Sequence, residues 1–162
     1  MKTNILILAI IFFTTISCNN NNDNNKKENY NMQTSIVLNL KNSAGETLFN
    51  TENYNPENFK IYYEINGQKL EFYMPNYDNP RGFSMGYDQD PILMGMVLNT
   101  INEQVLPSTT YIEWNENETD TITATFLKGD GYFIVNKVWV NGELKPFEVI
   151  DNLSDRVITI VK

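Results

Sequence analysis

Between two runs of strand-forming residues stands the dipeptide Asn66-Gly67. Both residues tolerate positive φ, so the pair favours a two-residue type I′ turn. Such a turn fixes a register against which the flanking sequence can be checked. Ile65 then pairs with Gln68, Glu64 with Lys69, Tyr63 with Leu70, Ile61 with Phe72 and Phe59 with Met74. One face carries Phe59, Ile61, Tyr63, Leu70, Phe72 and Met74. The other carries Lys60, Tyr62, Glu64, Lys69, Glu71 and Tyr73. A slip of one residue would mix the two sets, so turn chemistry and side-chain pattern specify the same hairpin.

The remaining sequence repeats this kind of signal. Ile36, Leu38 and Leu40 alternate along one strand, and Asn42-Ser43-Ala44-Gly45 is a turn from which Thr47-Leu48-Phe49 returns. Met74 to Arg81 reads as a loop. Phe83 to Tyr87 and Ile92 to Leu98 read as strands, with Gly86 and Gly95 marking bulges. Thr100 to Pro107 connects them to three further strands, Thr109 to Trp114, Thr121 to Leu127 and Tyr132 to Val140. Asn141-Gly142 is a second hairpin turn. Its return contains Pro146, which places it at a sheet edge. Arg156 to Val161 closes the domain. No window of 11 or more residues has a clean helical period. About nine short strands in about 130 residues predict an all-β domain, an immunoglobulin-like antiparallel β-sandwich, with a small β-barrel as the alternative.

Composition bounds the chemistry. The 162 residues include no His and one Cys. A histidine general base, a His-activated nucleophile, a His/Cys zinc site and an internal disulfide are therefore excluded. Twelve Lys+Arg against twenty Asp+Glu disfavour binding to a nucleic-acid backbone.

The start of the sequence predicts a location. After Met1-Lys2, Ile5 to Phe13 is apolar throughout. Such a run is too short for a bilayer, which needs about 20 residues, and suits a signal-peptide core. It ends at Thr14-Thr15-Ile16-Ser17-Cys18, which resembles the lipobox of bacterial lipoproteins; Thr15 stands where that family prefers Leu. The resemblance implies cleavage before Cys18, diacylation of its sulfur and acylation of the new N-terminus. Residues 1–17 are thus expected to be a lipoprotein signal peptide. Residues 18–33 are expected to be a lipidated Cys and an Asn-rich flexible tether, and residues 34–162 a single domain. No aliphatic residue precedes Met32 in the tether. About 15 such residues have a mean reach near 20 Å. Asn19 is not the Asp that signals inner-membrane retention. The expected location is the bacterial outer membrane, with the periplasmic and surface faces both open.

Two further segments carry a resemblance. Tyr111-Ile112-Glu113-Trp114-Asn115-Glu116-Asn117-Glu118-Thr119-Asp120-Thr121-Ile122 and Asn136-Lys137-Val138-Trp139-Val140-Asn141-Gly142-Glu143-Leu144 look like parts of small Bacteroidota lipoproteins of unknown function. That resemblance implies an anchored β-domain and supplies no catalytic residues.

Carboxylates are the only abundant groups suited to catalysis. Glycoside hydrolysis needs two of them, roughly 5–10 Å apart across a cleft. Glu113, Glu116, Glu118 and Asp120 are close in sequence, but a strand end and turn normally present such side chains to water. Asn115, Asn117 and Asp120 are weak candidates for Ca²⁺, without the spacing or glycine of an EF-hand. Asp78, Asp88 and Asp90 form a similar group. Nine tyrosines are the more informative feature. Tyr54, Tyr62, Tyr73, Tyr77 and Tyr87 fall on the polar strand face or in loops. Of these, Tyr62, Tyr73, Tyr77 and Tyr87 are candidate ligand-binding residues, because a ring with a hydroxyl suits sugars and protein interfaces. Trp114 and Trp139 read as core or boundary packing. Asp120-Thr121-Ile122 resembles the Bacteroidota O-glycosylation signal, with Thr121 as acceptor. Asn117-Glu118-Thr119 and Asn152-Leu153-Ser154 fit the N-glycan sequon, which bacterial lipoproteins seldom use.

The expected protein is therefore a non-catalytic, membrane-anchored envelope interaction domain with no cofactor. Its expected partners are the membrane, through Cys18, and an envelope protein or glycan. The alternative is a glycan or small-ligand binding module using surface tyrosines.

Overall fold

The computed structural model describes residues 30–101, 107–150 and 154–162. The expected signal peptide, Cys18, most of the expected tether, part of the 100–107 connection and the start of the second sequon lie outside the described residues.

Among the described residues twelve strands form two sheets. They are β1 (Asn31–Gln33), β2 (Ser35–Lys41), β3 (Lys60–Ile65), β4 (Gln68–Glu71), β5 (Phe83–Gly86) and β6 (Leu93–Val97), followed by β7 (Ser108–Asn115), β8 (Glu118–Gly129), β9 (Tyr132–Val140), β10 (Glu143–Lys145), β11 (Glu148–Ile150) and β12 (Ser154–Val161). One sheet has the order β1-β9-β8-β7-β3-β4, with β10 also on β9. The other has the order β11-β12-β2-β6-β5. The sheets pack as a β-sandwich and do not close into a barrel.

The Asn66-Gly67 hairpin has the register the sequence dictates, from Ile65↔Gln68 to Tyr62↔Glu71. Asn66 and Gly67 have φ of 53° and 75°, and Asn141 and Gly142 repeat this with 51° and 83°. Alternation is equally plain along β7, where Ser108, Thr110, Ile112 and Trp114 point inward. In β9 the alternation breaks between Val135 and Val138. A bulge opposite Thr125 and Phe126 absorbs the extra residue, so both valines stay in the core.

Four features depart from the expectation. The described residues form twelve strands rather than about nine. The sheets are mixed: β1 runs parallel to β9, and β12 parallel to β2. β1 also occupies the last three residues of the segment read as tether, so sheet pairing begins at Asn31. One face of the first hairpin is less buried than its pattern suggests. Phe59, Ile61 and Tyr63 are buried, whereas Leu70 and Met74 are exposed, on and just after the edge strand β4.

The core lies between the sheets. Ile36, Leu38 and Leu40 of β2, Met94 and Met96 of β6, and Ile158 and Ile160 of β12 meet Ile61, Ile112, Ile122, Phe133 and Val138 of the facing sheet. Each such side chain, fully buried, contributes about 1.5–3 kcal/mol. The connection from β2 to β3 adds Phe49, Tyr54 and Phe59. All three ring-pack on Trp114, with centroids 6.5, 6.2 and 4.9 Å away.

Candidate functional site

The end of the sandwich where β7 turns into β8 holds a buried polar cluster. Period-two alternation along β8 puts Asp120 on the same inward face as Ile122, Ala124 and Phe126. A carboxylate there must be supplied with donors, since an unpaired buried charge is costly. Trp114 Nε1 donates to Asp120 Oδ2 at 2.7 Å, Asn141 Nδ2 to Oδ1 at 2.7 Å, and Lys162 Nζ to Oδ1 at 2.8 Å. Lys162 also pairs with Glu118 at 2.6 Å, whose other oxygen accepts the Tyr54 hydroxyl at 2.7 Å. Burial pushes the Asp120 carboxyl up, but bonds from Lys162, Asn141 and Trp114 outweigh it and hold it below the usual carboxylate range. Burial likewise pulls Lys162 down, and its two acidic partners more than reverse that. Burial, with Glu118 as acceptor, pushes the Tyr54 phenol up to about 12. Tyr54 is thus a buried member of this cluster, not a surface aromatic in a loop.

This arrangement spreads the acidic residues apart. Asp120 points inward, while Glu113 lies on the outer face, paired with Lys60 at 3.4 Å and Lys69 at 4.0 Å. Glu116 lies in the exposed turn between them. The Ca²⁺ candidates are drawn into local bonds. Asn115 accepts from the Asn117 amide and donates to the Asn53 carbonyl, and Asp120 is taken up as described. Among the described residues no group of three or more acidic or Cys side chains could hold a metal ion. Asp78 lies in the loop after β4, and Asp88 and Asp90 lie in the turn between β5 and β6.

The open outer face of the seven-stranded sheet is a second site. Tyr62 of β3 pairs with Tyr111 of β7, which pairs with Thr121 of β8. Lys69 of β4 sits over both rings, 4.3 Å from the Tyr62 centroid and 5.2 Å from that of Tyr111. The Tyr111 hydroxyl donates to Glu64. That bond, with burial, raises the Tyr111 pKa, while burial and then Glu113 raise that of Tyr62. Thr109, Thr123 and Trp139 form the adjoining row across β7, β8 and β9. Thr121 is half-buried on this face, while Asp120 beside it points to the opposite side.

Of the four candidate tyrosines, Tyr62 alone belongs to this face. Tyr73 and Tyr77 are exposed in the loop after β4, and Tyr87 is exposed just after β5. Tyr111, the partner that Tyr62 does have, was legible in its alternation with Ile112 and Trp114. A small recess under the Asn66-Gly67 turn has no signal in the sequence. Asn99 and Ser108 line it, and the buried Ser108 hydroxyl has no hydrogen-bond partner.

No helix among the described residues is long and apolar enough to cross a membrane. Compared with models of protein families, with curated proteins and with solved structures, the chain matches none.

Proposed function

We propose that the protein is a non-catalytic lipoprotein, anchored through Cys18 to the bacterial outer membrane, whose β-sandwich is an envelope interaction domain. The observation that carries this reading is the outer face of the seven-stranded sheet. Tyr62 and Tyr111, bridged by Lys69, present broad amphipathic rings of the kind enriched at protein interfaces. The engagement of Glu113, Glu118 and Asp120 in ion pairs supports a binding rather than a hydrolytic role. The test is mild crosslinking of the tagged protein in its native membrane, purification and mass spectrometry, with intact mass reporting the lipid on Cys18. A stoichiometric envelope partner, lost in Tyr62→Ala/Tyr111→Ala, is the expected result. A partnerless acylated monomer overturns it.

A glycan is the second reading. Trp139 and the hydroxyls of Thr109, Thr121 and Thr123 share that face with the two tyrosines, and rings beside hydroxyls suit sugar stacking. Saturable binding in a glycan screen, lost with the same double substitution, supports it.

A further inference from the structure

The β8–β9 hairpin reaches past the rest of its sheet. The ladder between β7 and β8 ends at Ser108↔Ala124, while β8 and β9 stay paired to Gly129↔Tyr132. Beyond Ala124 the two strands form an arm whose other paired neighbour among the described residues is β1. On its inner side Phe126 and Phe133 stack with centroids 4.9 Å apart, and both are buried. The apolar residues toward its end are different. Tyr30, Met32, Leu127 and Tyr132 are between 40% and 60% exposed. The Tyr132 ring lies where a Cβ on Gly129 would stand, so glycine there lets the ring fold across the arm. An edge this apolar is an aggregation hazard unless something covers it.

We infer that this arm is a membrane-contacting wedge, with Tyr30, Met32, Leu127 and Tyr132 seated among the lipid headgroups of the bilayer that holds the protein. The inference rests on the lipid anchor at Cys18. β1 runs parallel to β9, so the chain enters the domain at the arm's free end, where the Asn31 amide donates to the Gly131 carbonyl at 2.7 Å. Eleven residues separate Cys18 from Tyr30. Fully extended they span about 40 Å, and their mean reach is about 18 Å. The arm is therefore the part of the domain held nearest the bilayer, at high effective concentration. Its chemistry fits: tyrosines prefer the membrane interface, and cations are drawn to anionic lipids. In the segment before Tyr30, Lys26 and Lys27 balance Asp23 and Glu28, while the arm itself carries Lys128 and Lys137 against the single carboxylate of Asp130. At the opposite end of the same sheet an open recess is lined by Glu52 and Glu57 of the β2–β3 connection and by Glu113 and Glu116, against the single cation of Lys60. An anionic surface attracts the first end and repels the second.

The test uses the full acylated protein in phosphatidylethanolamine/phosphatidylglycerol vesicles, with Asp130→Cys carrying an environment-sensitive fluorophore. Asn117→Cys, at the opposite end, is the control. Spin-labelled lipids are expected to quench the label at 130 about threefold more than the label at 117. Adding Met32→Ser and Tyr132→Ser is expected to abolish most of that difference. Equal, weak quenching at both positions in acylated protein overturns the wedge and leaves the anchor standing. Concentration-dependent contact between labels at 130 without lipid quenching also overturns it, in favour of edge pairing between two copies. An intact mass showing unmodified Cys18 overturns the anchor and the wedge together.

Discussion

Trp114 and Asp120 are joined across the β7–β8 hairpin by a 2.7 Å bond from the indole nitrogen to a carboxylate oxygen, and both are almost wholly buried. The bond ties the largest core side chain to the one buried acid among the described residues. Asp120→Ala leaves Lys162 and the indole without their shared acceptor. Breaking one partner of a buried pair costs about 3 kcal/mol. A urea midpoint for Asp120→Ala well below that of the parent is expected, and an unchanged midpoint would remove this role.

The same cluster makes stability depend on pH at both extremes. The Asp120 pKa is lowered by folding, so its contribution is present above the ordinary carboxylate value of about 4 and lost as pH falls through the folded value. Tyr54 and Lys162 are raised by folding. Their contributions are present below their ordinary values, about 10, and are lost as pH rises, for Tyr54 toward about 12. Melting temperature against pH is expected to fall on both sides. In Tyr54→Phe the alkaline limb should be shallower; an identical limb would contradict the assignment.

The two tryptophans report different environments. Trp114 is buried beneath Phe59, whereas Trp139 is half-buried on the outer face. In Trp139→Phe the remaining emission should resist iodide. Iodide quenching of that variant as strong as in Trp114→Phe would contradict the packing.

Two glycines separate backbone strain from crowding. Gly67 has φ +75° with open space around its would-be Cβ. Gly67→Ala should cost about 1 kcal/mol, from conformation alone. Gly82 has φ +79°, and its Cβ would stand 2.7 Å from Phe72 Cδ1. Gly82→Ala should cost about 2–3 kcal/mol, since strain and collision add. Denaturation midpoints in the reverse order would contradict this.

Local chemistry made much of the fold readable. Asn66-Gly67 sets its own register, and period-two alternation marks β7 and β8. The same alternation places Asp120 inward, a signal stronger than its membership of an acidic run. The parallel pairs could not be read. β1 against β9 and β2 against β12 join residues about 100 or more positions apart, and no turn links them. Tyr54 was equally hidden, because its burial depends on Trp114 and Glu118, distant in sequence. Tyr62 was readable as a surface ring, but its pairing with Tyr111 required the strand order.

The attachment of β1 bears on how the domain takes tension. Any pull transmitted from the N-terminal side reaches a three-residue edge strand first, bonded on one side to β9. Behind it lies β2, seven residues long and paired on both sides, to β12 and β6. The short strand can peel away and free a few residues of chain while the sandwich stays whole. A pull on the N-terminal side would then be absorbed as a small early extension, visible in single-molecule force spectroscopy ahead of the main rupture.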